Sequence, residues 1–300
     1  MRGLIKRNLL IYFKDKSAVF FSMLTPIIVL MLYLLFMKIN FVNSITDAAG
    51  VLVDFIGTNN IDAFANGFLL VGILGSSMIT VPYSTLSTIV KDRENGVDSD
   101  MCVTPVKRTG IVLAYFIASA LSAFIMTSVI MTIGLLVLQI MNPMYMPVKY
   151  IVYLYLTVLL GSISGTAVFM PIMMFIKTQS VSGSVMGIIS AVSGFVIGAY
   201  LPISAFSERV QTVCNLFPAT GVTVMLRYYC LTGLLEEMDA KIGGVDEGMF
   251  VSALREMFSF KSKFFGNEVS IATTVGFVLI ATVVCLGILM FVYPKVYKKR

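Results

Sequence analysis

GIVLAYFIASALSAFIMTSVIMTIGLLVLQIM, residues 110–141, runs for 32 positions without one Asp, Glu, Lys or Arg. At about 1.5 Å per residue, a helix of this length reaches well past the ~30 Å hydrocarbon core of a bilayer. Six stretches are apolar for long enough to cross: approximately Ala18–Met37, Ala63–Val90, Gly110–Met141, Lys149–Ile176, Ser184–Phe206 and Val269–Tyr293. The chain of 300 residues is 58% hydrophobic and only 13% charged, with a mean hydropathy of +0.92. That is about half the charge of a soluble domain. The predicted fold class is all-α integral membrane, with six transmembrane helices in a single domain over residues 1–300. The first run has a basic flank like a signal peptide, but its apolar part is too long for that, so it reads as a retained span.

Charge sets the expected orientation, because short cytoplasmic loops collect Lys and Arg. With the N-terminus inside, the inner segments hold Arg2, Lys6, Arg7, Lys14, Lys16, Lys91, Arg93, Lys107, Arg108, Lys177, Lys295, Lys298, Lys299 and Arg300, whereas the short outer loops hold only Lys38 and Lys149. Both termini are therefore expected in the cytoplasm. The net charge of +6 is explained by this asymmetry. No basic stripe interleaved with stacking aromatics is present, and no nucleic-acid partner is expected.

Inventory excludes several chemistries. Histidine is absent, which removes Ser-His-Asp and Cys-His nucleophiles and His-ligated zinc. No Gly-x-x-x-x-Gly-Lys-Ser/Thr loop occurs, so the chain has no phosphate cradle of its own and is not expected to be an enzyme. Cys102, Cys214, Cys230 and Cys285 lack metal-ligand spacing; Cys214 and Cys230 could share an outer loop and pair, or serve only as packing residues. GSISG at residues 161–165 is no nucleophile elbow, since Ile163 stands in the serine position. With SGSVMG at 182–187 it suits close helix packing.

Three segments lie outside the spans. Residues 1–17 place Ile5, Leu9, Tyr12 and Phe13 on one helical face and Arg7 and Lys14 on another, which suits an amphipathic helix on the cytoplasmic membrane surface or an ordinary positive flank. The stretch 207–267 divides in two. Its first part, apolar and punctuated by Pro202 just before it and by Pro218, is expected to form two short re-entrant helices, with Arg227 at the outer surface or in a watery vestibule. From Glu236 onward it becomes a polar cap with an amphipathic patch at 249–258. KDRENGVDSDMCVTPVKR, residues 91–108, joins the second and third spans. Asp92, Arg93 and Glu94 could begin a short helix, Gly96 break it, and Pro105 turn the chain back to the membrane. Its mixture of acids with cations suits a protein contact, and equally a solvated connector.

DRENG followed by TPVKR, then a span opening GIVLAYFIAS, resembles the membrane subunit of ATP-binding-cassette exporters of the type-2 permease family. GAYLP, FPATG and the later LR are similar to that family's stretch after its fifth span, through Gly198, Pro202, Pro218 and Arg227. Two features depart from it: there is no Trp in the outer motif, where Phe217-Pro218 replaces Asn-Pro, and the polar insert 236–268 is long. The resemblance implies a permease that pairs with a second permease subunit, identical or related, to form the pathway. It implies two separate ATPase subunits that bind ATP and Mg and dock on the coupling loop 91–109, at Asp92, Arg93, Glu94, Gly96 and Pro105, and on the N-terminal helix. It also implies export across a bacterial cell membrane; spans rich in Met, Phe, Tyr, Ser and Thr suit a hydrophobic or amphipathic cargo such as a drug, a peptide or a lipid-like molecule. The alternative is an ion-coupled carrier or channel without an ATPase. The spans carry no internal carboxylate of the kind such carriers use.

Overall fold

The computed structural model describes residues 1–97, 100–101, 108–141 and 145–297. Asp98, Cys102, Pro105 and Lys107 of the expected coupling loop, and Lys298, Lys299 and Arg300 of the basic tail, lie outside the described residues. Six helical segments are long and apolar enough to cross a membrane: Lys16–Ile56, Thr58–Glu94, Arg108–Met141, Val148–Met173, Gln179–Val196 and Ile271–Phe291. The chain is an all-α, multi-pass membrane protein.

Helix α1 (Arg2–Lys14) precedes the first crossing, which is composite. It runs through α2 (Lys16–Leu32), a π-helical turn at Tyr33–Met37, α3 (Lys38–Ala49) and α4 (Val53–Ile56). The expected span is α2 plus the π turn. The extension α3 buries Phe41, Ile45 and Ala49, an i, i+4, i+8 stripe on one face. Then come α5 (Thr58–Glu94), α6 (Arg108–Met141), α7 (Val148–Met173) and α8 (Gln179–Val196). Beyond them lie α9 (Glu208–Asn215), α10 (Pro218–Ile242), α11 (Met249–Met257), a hairpin of β1 (Lys263–Phe264) with β2 (Asn267–Glu268), and α12 (Ile271–Tyr297). The end of the bundle that carries α1 is called the N-terminal pole below, and the opposite end, with α9, α11 and the hairpin, the cap pole.

Helix α5 is the pillar. In its most apolar stretch 89% of the residues are enclosed, against 17% to 50% in the other five crossings. Its polar residues face inward: Ser76, Ser77, Thr80, Ser84, Thr85 and Thr88 are all buried. Lipid rewards this inversion, because a lipid tail is as apolar as leucine and small hydroxyl residues let helices approach and bond. Ser84 donates to the Ala18 carbonyl of α2 at 3.2 Å, Thr85 to Ser119 of α6 at 3.3 Å, and Tyr83 to Ser182 of α8 at 3.0 Å. Tyr33 of the π turn donates back to Ala65 at 2.6 Å. Close approach to α7 comes from GSISG, where a methyl on Gly165 would stand 2.5 Å from the Met78 carbonyl oxygen. By contrast, Gly183 and Gly187 of α8 have open space beside them.

Two expectations need correction. The fifth crossing ends at Val196, not near Phe206, because Gly198 turns left-handed (φ +71°) and the Gly194 carbonyl accepts both Ala199 and Tyr200 N–H. The outer stretch folds back against the bundle, with its tip at Phe217-Pro218 packed beside Phe169 of α7. Only its first helix, α9, is short, however; α10 runs for 25 residues. Pro218 starts that helix at a position where its missing N–H costs nothing, and no break follows until Gly243 adopts the left-handed C-terminal turn. Cys214 and Cys230 are buried free thiols and do not pair.

Replacing Gly165 by Leu is expected to cost about 1–3 kcal/mol through overpacking against α5. Gly183→Leu, beside open space, should stay within about 0.5 kcal/mol. Thermal unfolding of the two purified variants in detergent checks the contrast; equal midpoints would contradict the packing described.

Candidate coupling node and groove

The last turn of α5 is Lys91-Asp92-Arg93-Glu94, and each side chain holds a different element. Lys91 Nζ donates to Asp15 at 3.0 Å, at the junction of α1 and α2. Asp15 in turn caps α2 by accepting the Ala18 N–H at 3.1 Å. The Lys91 contact first, and the Ala18 amide second, hold the Asp15 carboxyl below the usual carboxylate range. Asp92 is buried and takes a two-pronged grip from Arg7 of α1, 2.7 Å on each oxygen, plus the hydroxyl of Tyr115 from α6. Paired N–H donors on one carboxylate fix direction as well as distance.

Arg93 and Glu94 form a matched pair of helix caps. Arg93 is buried, and its Nη1 donates to the carbonyls of Met173, Met174 and Ile176, at 3.4, 2.9 and 2.6 Å, where α7 ends. Glu94 accepts the Gln179 N–H at 2.9 Å, where α8 begins, and Gln179 Nε2 donates to Ser87 of α5 at 2.9 Å. A cation at a helix carboxyl end and an anion at an amino end both oppose the local dipole. Adjacent residues of opposite sign thus stitch together the α7–α8 turn.

Asp92, Arg93 and Glu94 therefore close α5 and do not begin a new helix. Gly96 follows as expected, an exposed glycine at φ +76° that ends it. Arg7 differs from its expected place: it lies on the face of α1 turned to the protein, along with buried Asn8 and Tyr12, while Leu10 and Phe13 are exposed. Arg7, Asp15, Tyr115 and Gln179 were not expected as site residues. Asp92 was their signal in the sequence, an acid placed at the membrane end of a long span.

A groove of about 1170 Å³ lies between α2 and α8 with α5 as its floor. At the N-terminal pole it is lined by Asp15, Lys91 and Gln179, and further along by Phe21, Ile28 and Leu32 on one wall and Gly183, Met186 and Gly187 on the other. Phe36, Phe195 and Tyr200 line its far end. Ser17 and Phe36 are 19 positions apart, so the groove extends about 28 Å along the first crossing, close to a full membrane thickness.

The outer residues meet at Arg227, which is enclosed and not at a watery surface: it is only 1% exposed. Its Nη1 donates to Phe258 and Ser259 at 2.5 and 2.9 Å, its Nη2 to Gly198 at 3.4 Å, and its guanidinium lies 4.7 Å from the Phe68 ring centre. Gly198 is the left-handed residue closing α8, Pro202 leads into a short 3₁₀ turn, and Pro218 opens α10.

The family model described as ABC-2 family transporter protein matches residues 48–291. The chain belongs to this family. No curated protein matches it. As an ABC-2 permease it is the membrane component of an ABC transporter and associates with an ABC ATPase. The match begins within α3, so α1 and α2 stand outside it, while α5 with its terminal node, the groove wall α8 and Arg227 stand within. Among the described residues no nucleophile–base pair stands at the node. What Lys91–Glu94 can do is mechanical: move, or be moved by, four neighbouring segments at once.

Asp92→Ala leaves Arg7 with Asn8 and the Tyr115 hydroxyl with the Met101 sulfur as their remaining partners. The cost should be about 2–3 kcal/mol, less than for a fully buried pair because Arg7 keeps 31% of its side chain in solvent. In a double-mutant cycle, Arg7→Ala with Asp92→Ala should cost clearly less than the two single changes added. Additive losses in detergent melting would mean that the two side chains do not act together.

Proposed function

We propose that this permease is the transmembrane half of an ATP-driven exporter, with α5 as the lever through which a separate ATPase moves the bundle. The observation that carries the reading is the division of labour at Lys91–Glu94. A displacement of the exposed turn at Asn95-Gly96 reaches α1 through Arg7, α6 through Tyr115, α7 through the Arg93 carbonyls and α8 through Gln179. Two ATPase subunits that bind ATP and Mg dock on this turn and on α1, and their closure drives the rigid-body change. This pole is cytoplasmic, in agreement with the basic short loops.

The groove between α2 and α8 is half of the pathway, completed by a second permease subunit. Its bulky wall, with Phe21, Ile28 and Leu32, and its small wall, with Gly183 and Gly187, suit mutual insertion about a two-fold axis, in which each wall meets the other's complement. The lining is apolar over most of its length and polar at the cytoplasmic mouth, which favours a hydrophobic or amphipathic cargo. The membrane is the bacterial cell membrane.

The test uses a Glu94→Lys and a Gly96→Pro variant, expressed with the ABC ATPase with which the permease copurifies. Proline cannot adopt the φ of +76° at position 96, and lysine at 94 reverses the charge at the α8 amino end. Both variants should insert normally, yet retain less than about a tenth of the ATPase on purification or lose coupled export. Unchanged copurification and export in both would reduce the segment to a solvated connector.

A further inference from the structure

Arg227 is among the largest side chains enclosed in the bundle, and no carboxylate pairs with it among the described residues. Its partners are three backbone carbonyls and the face of Phe68, and its Nε has no acceptor. Two of those carbonyls, Phe258 and Ser259, end α11 of the cap; Ser259 takes a left-handed φ of +52° there. The third, Gly198, ends α8, the small wall of the groove. One guanidinium therefore joins the cap to the far end of the pathway.

We propose that Arg227 is a positioning residue for transport: it holds segment 198–206 against the cap as an outlet latch, and the Gly198 joint is the one that opens when cargo leaves. The proposal rests on the transport reading above. Segment 198–206 carries Tyr200, which with Phe195 of α8 lines the cap end of the groove. Two of its ties run to the same cap turn that Arg227 grips, from Ser204 N–H to Ser259 Oγ at 3.1 Å and from the Ser204 hydroxyl to the Met257 carbonyl, and two run to α9, where Gln211 Nε2 donates to the Ser204 and Phe206 carbonyls at 3.3 and 2.8 Å. The α8 end has one further tie to α10, from the Thr220 hydroxyl to the Val196 carbonyl at 3.2 Å.

The grip is uneven in the direction that a latch needs. At 2.5 and 2.9 Å the bonds to the cap are short, while 3.4 Å to Gly198 is near the limit of a hydrogen bond. Arg227 stays with the cap when the joint yields. Neutral carbonyl partners also make the opening reversible, because a carbonyl released from a guanidinium can be replaced by water without stranding a buried carboxylate. Gly198 supplies the pivot. It sits at φ +71°, and a Cβ there would approach Ile203 Cγ1 to 2.7 Å, so only glycine both makes the turn and lets the segment fold flat.

The test is made on the permease–ATPase complex in liposomes, with all four native cysteines replaced and Ser190→Cys introduced in the groove wall. The probe is a membrane-impermeant maleimide applied from the cap side. Labelling is expected to be slow at rest and at least tenfold faster with ATP. Adding Ser204→Cys with Ser259→Cys and oxidising the pair should abolish the ATP response, and reduction should restore it. Arg227→Met should label fast without ATP, Arg227→Lys at an intermediate rate, and the oxidised cysteine pair should return Arg227→Met to slow labelling. That rescue separates a latch from a residue needed only for folding. ATP-driven labelling that persists across the oxidised pair overturns the proposal, as does Arg227→Met labelling at the resting rate; the cysteine-pair arm keeps Arg227 and stands even if Arg227→Met does not fold. A reduced complex that neither hydrolyses ATP nor responds to it overturns the transport reading itself, an outcome distinct from hydrolysis with unlatched labelling.

Discussion

The meeting of the α7 carboxyl end with the α8 amino end beneath α5 is the constraint on which the arrangement depends. Each helix end leaves backbone groups without intrahelical partners, and near a bilayer such groups cannot be left bare. Arg93 supplies donors to Met173, Met174 and Ile176, and Glu94 supplies an acceptor to Gln179. Because both come from the last turn of one helix, the α7–α8 turn cannot shift without α5. The neighbouring residues extend the same logic to α1 and α6. A helix enclosed along most of its length would otherwise be fixed only by packing, which sets separation better than it sets sliding or rotation. The charged turn fixes both.

Inside the membrane a complementary rule applies. With no hydrophobic gain from helix–helix contact, the interior selects residues that permit close approach or can bond across it. Hence Ser and Thr line α5, while Ile133, Leu136, Ile140, Ile280 and Val283 point out to lipid. The two small-residue stripes have opposite fates. Gly161 and Gly165 are used up against Met78, whereas Gly183 and Gly187 face open space along the groove. A stripe of this kind suits a close contact, and among the described residues α8 makes none at Gly183 and Gly187.

The six crossings were legible because length and lack of charge are local properties: the 110–141 run needs no partner to be read as a membrane helix. The glycine stop at 96 was legible from turn chemistry. Arg7 was not. On α1 alone it belongs to a basic face, and only the acid at position 92, brought near by the α5 fold, turns that face inward. Arg227 misled in the same way. A lone arginine in an apolar stretch suggests a wet surface, yet two left-open helix ends, at Gly198 and Phe258, enclose it with carbonyls. Pro218 looked like an interruption when it was a beginning. In each case the deciding partner is distant in sequence, and periodicity carries no information about it.

Both poles set an enclosed arginine, Arg93 or Arg227, against backbone carbonyls, and they differ in the ion pairs that surround it. At the N-terminal pole cations meet carboxylates: Arg7 with Asp92, and Lys91 with Asp15. Separating Arg7 from buried Asp92 would leave an unpaired carboxylate in the protein, so that joint resists opening, whereas the exposed Lys91–Asp15 pair adds little. At the cap pole Arg227 meets only neutral carbonyls, which can be exchanged one at a time, and the ion pairs beside it, Lys261 with Glu268 and Lys263 with Glu256, lie at the surface. The buried Arg7–Asp92 pair thus holds the N-terminal pole more firmly than exchangeable carbonyls hold the cap end of the groove. That polarity suits a lever whose far end must let go while its near end must not.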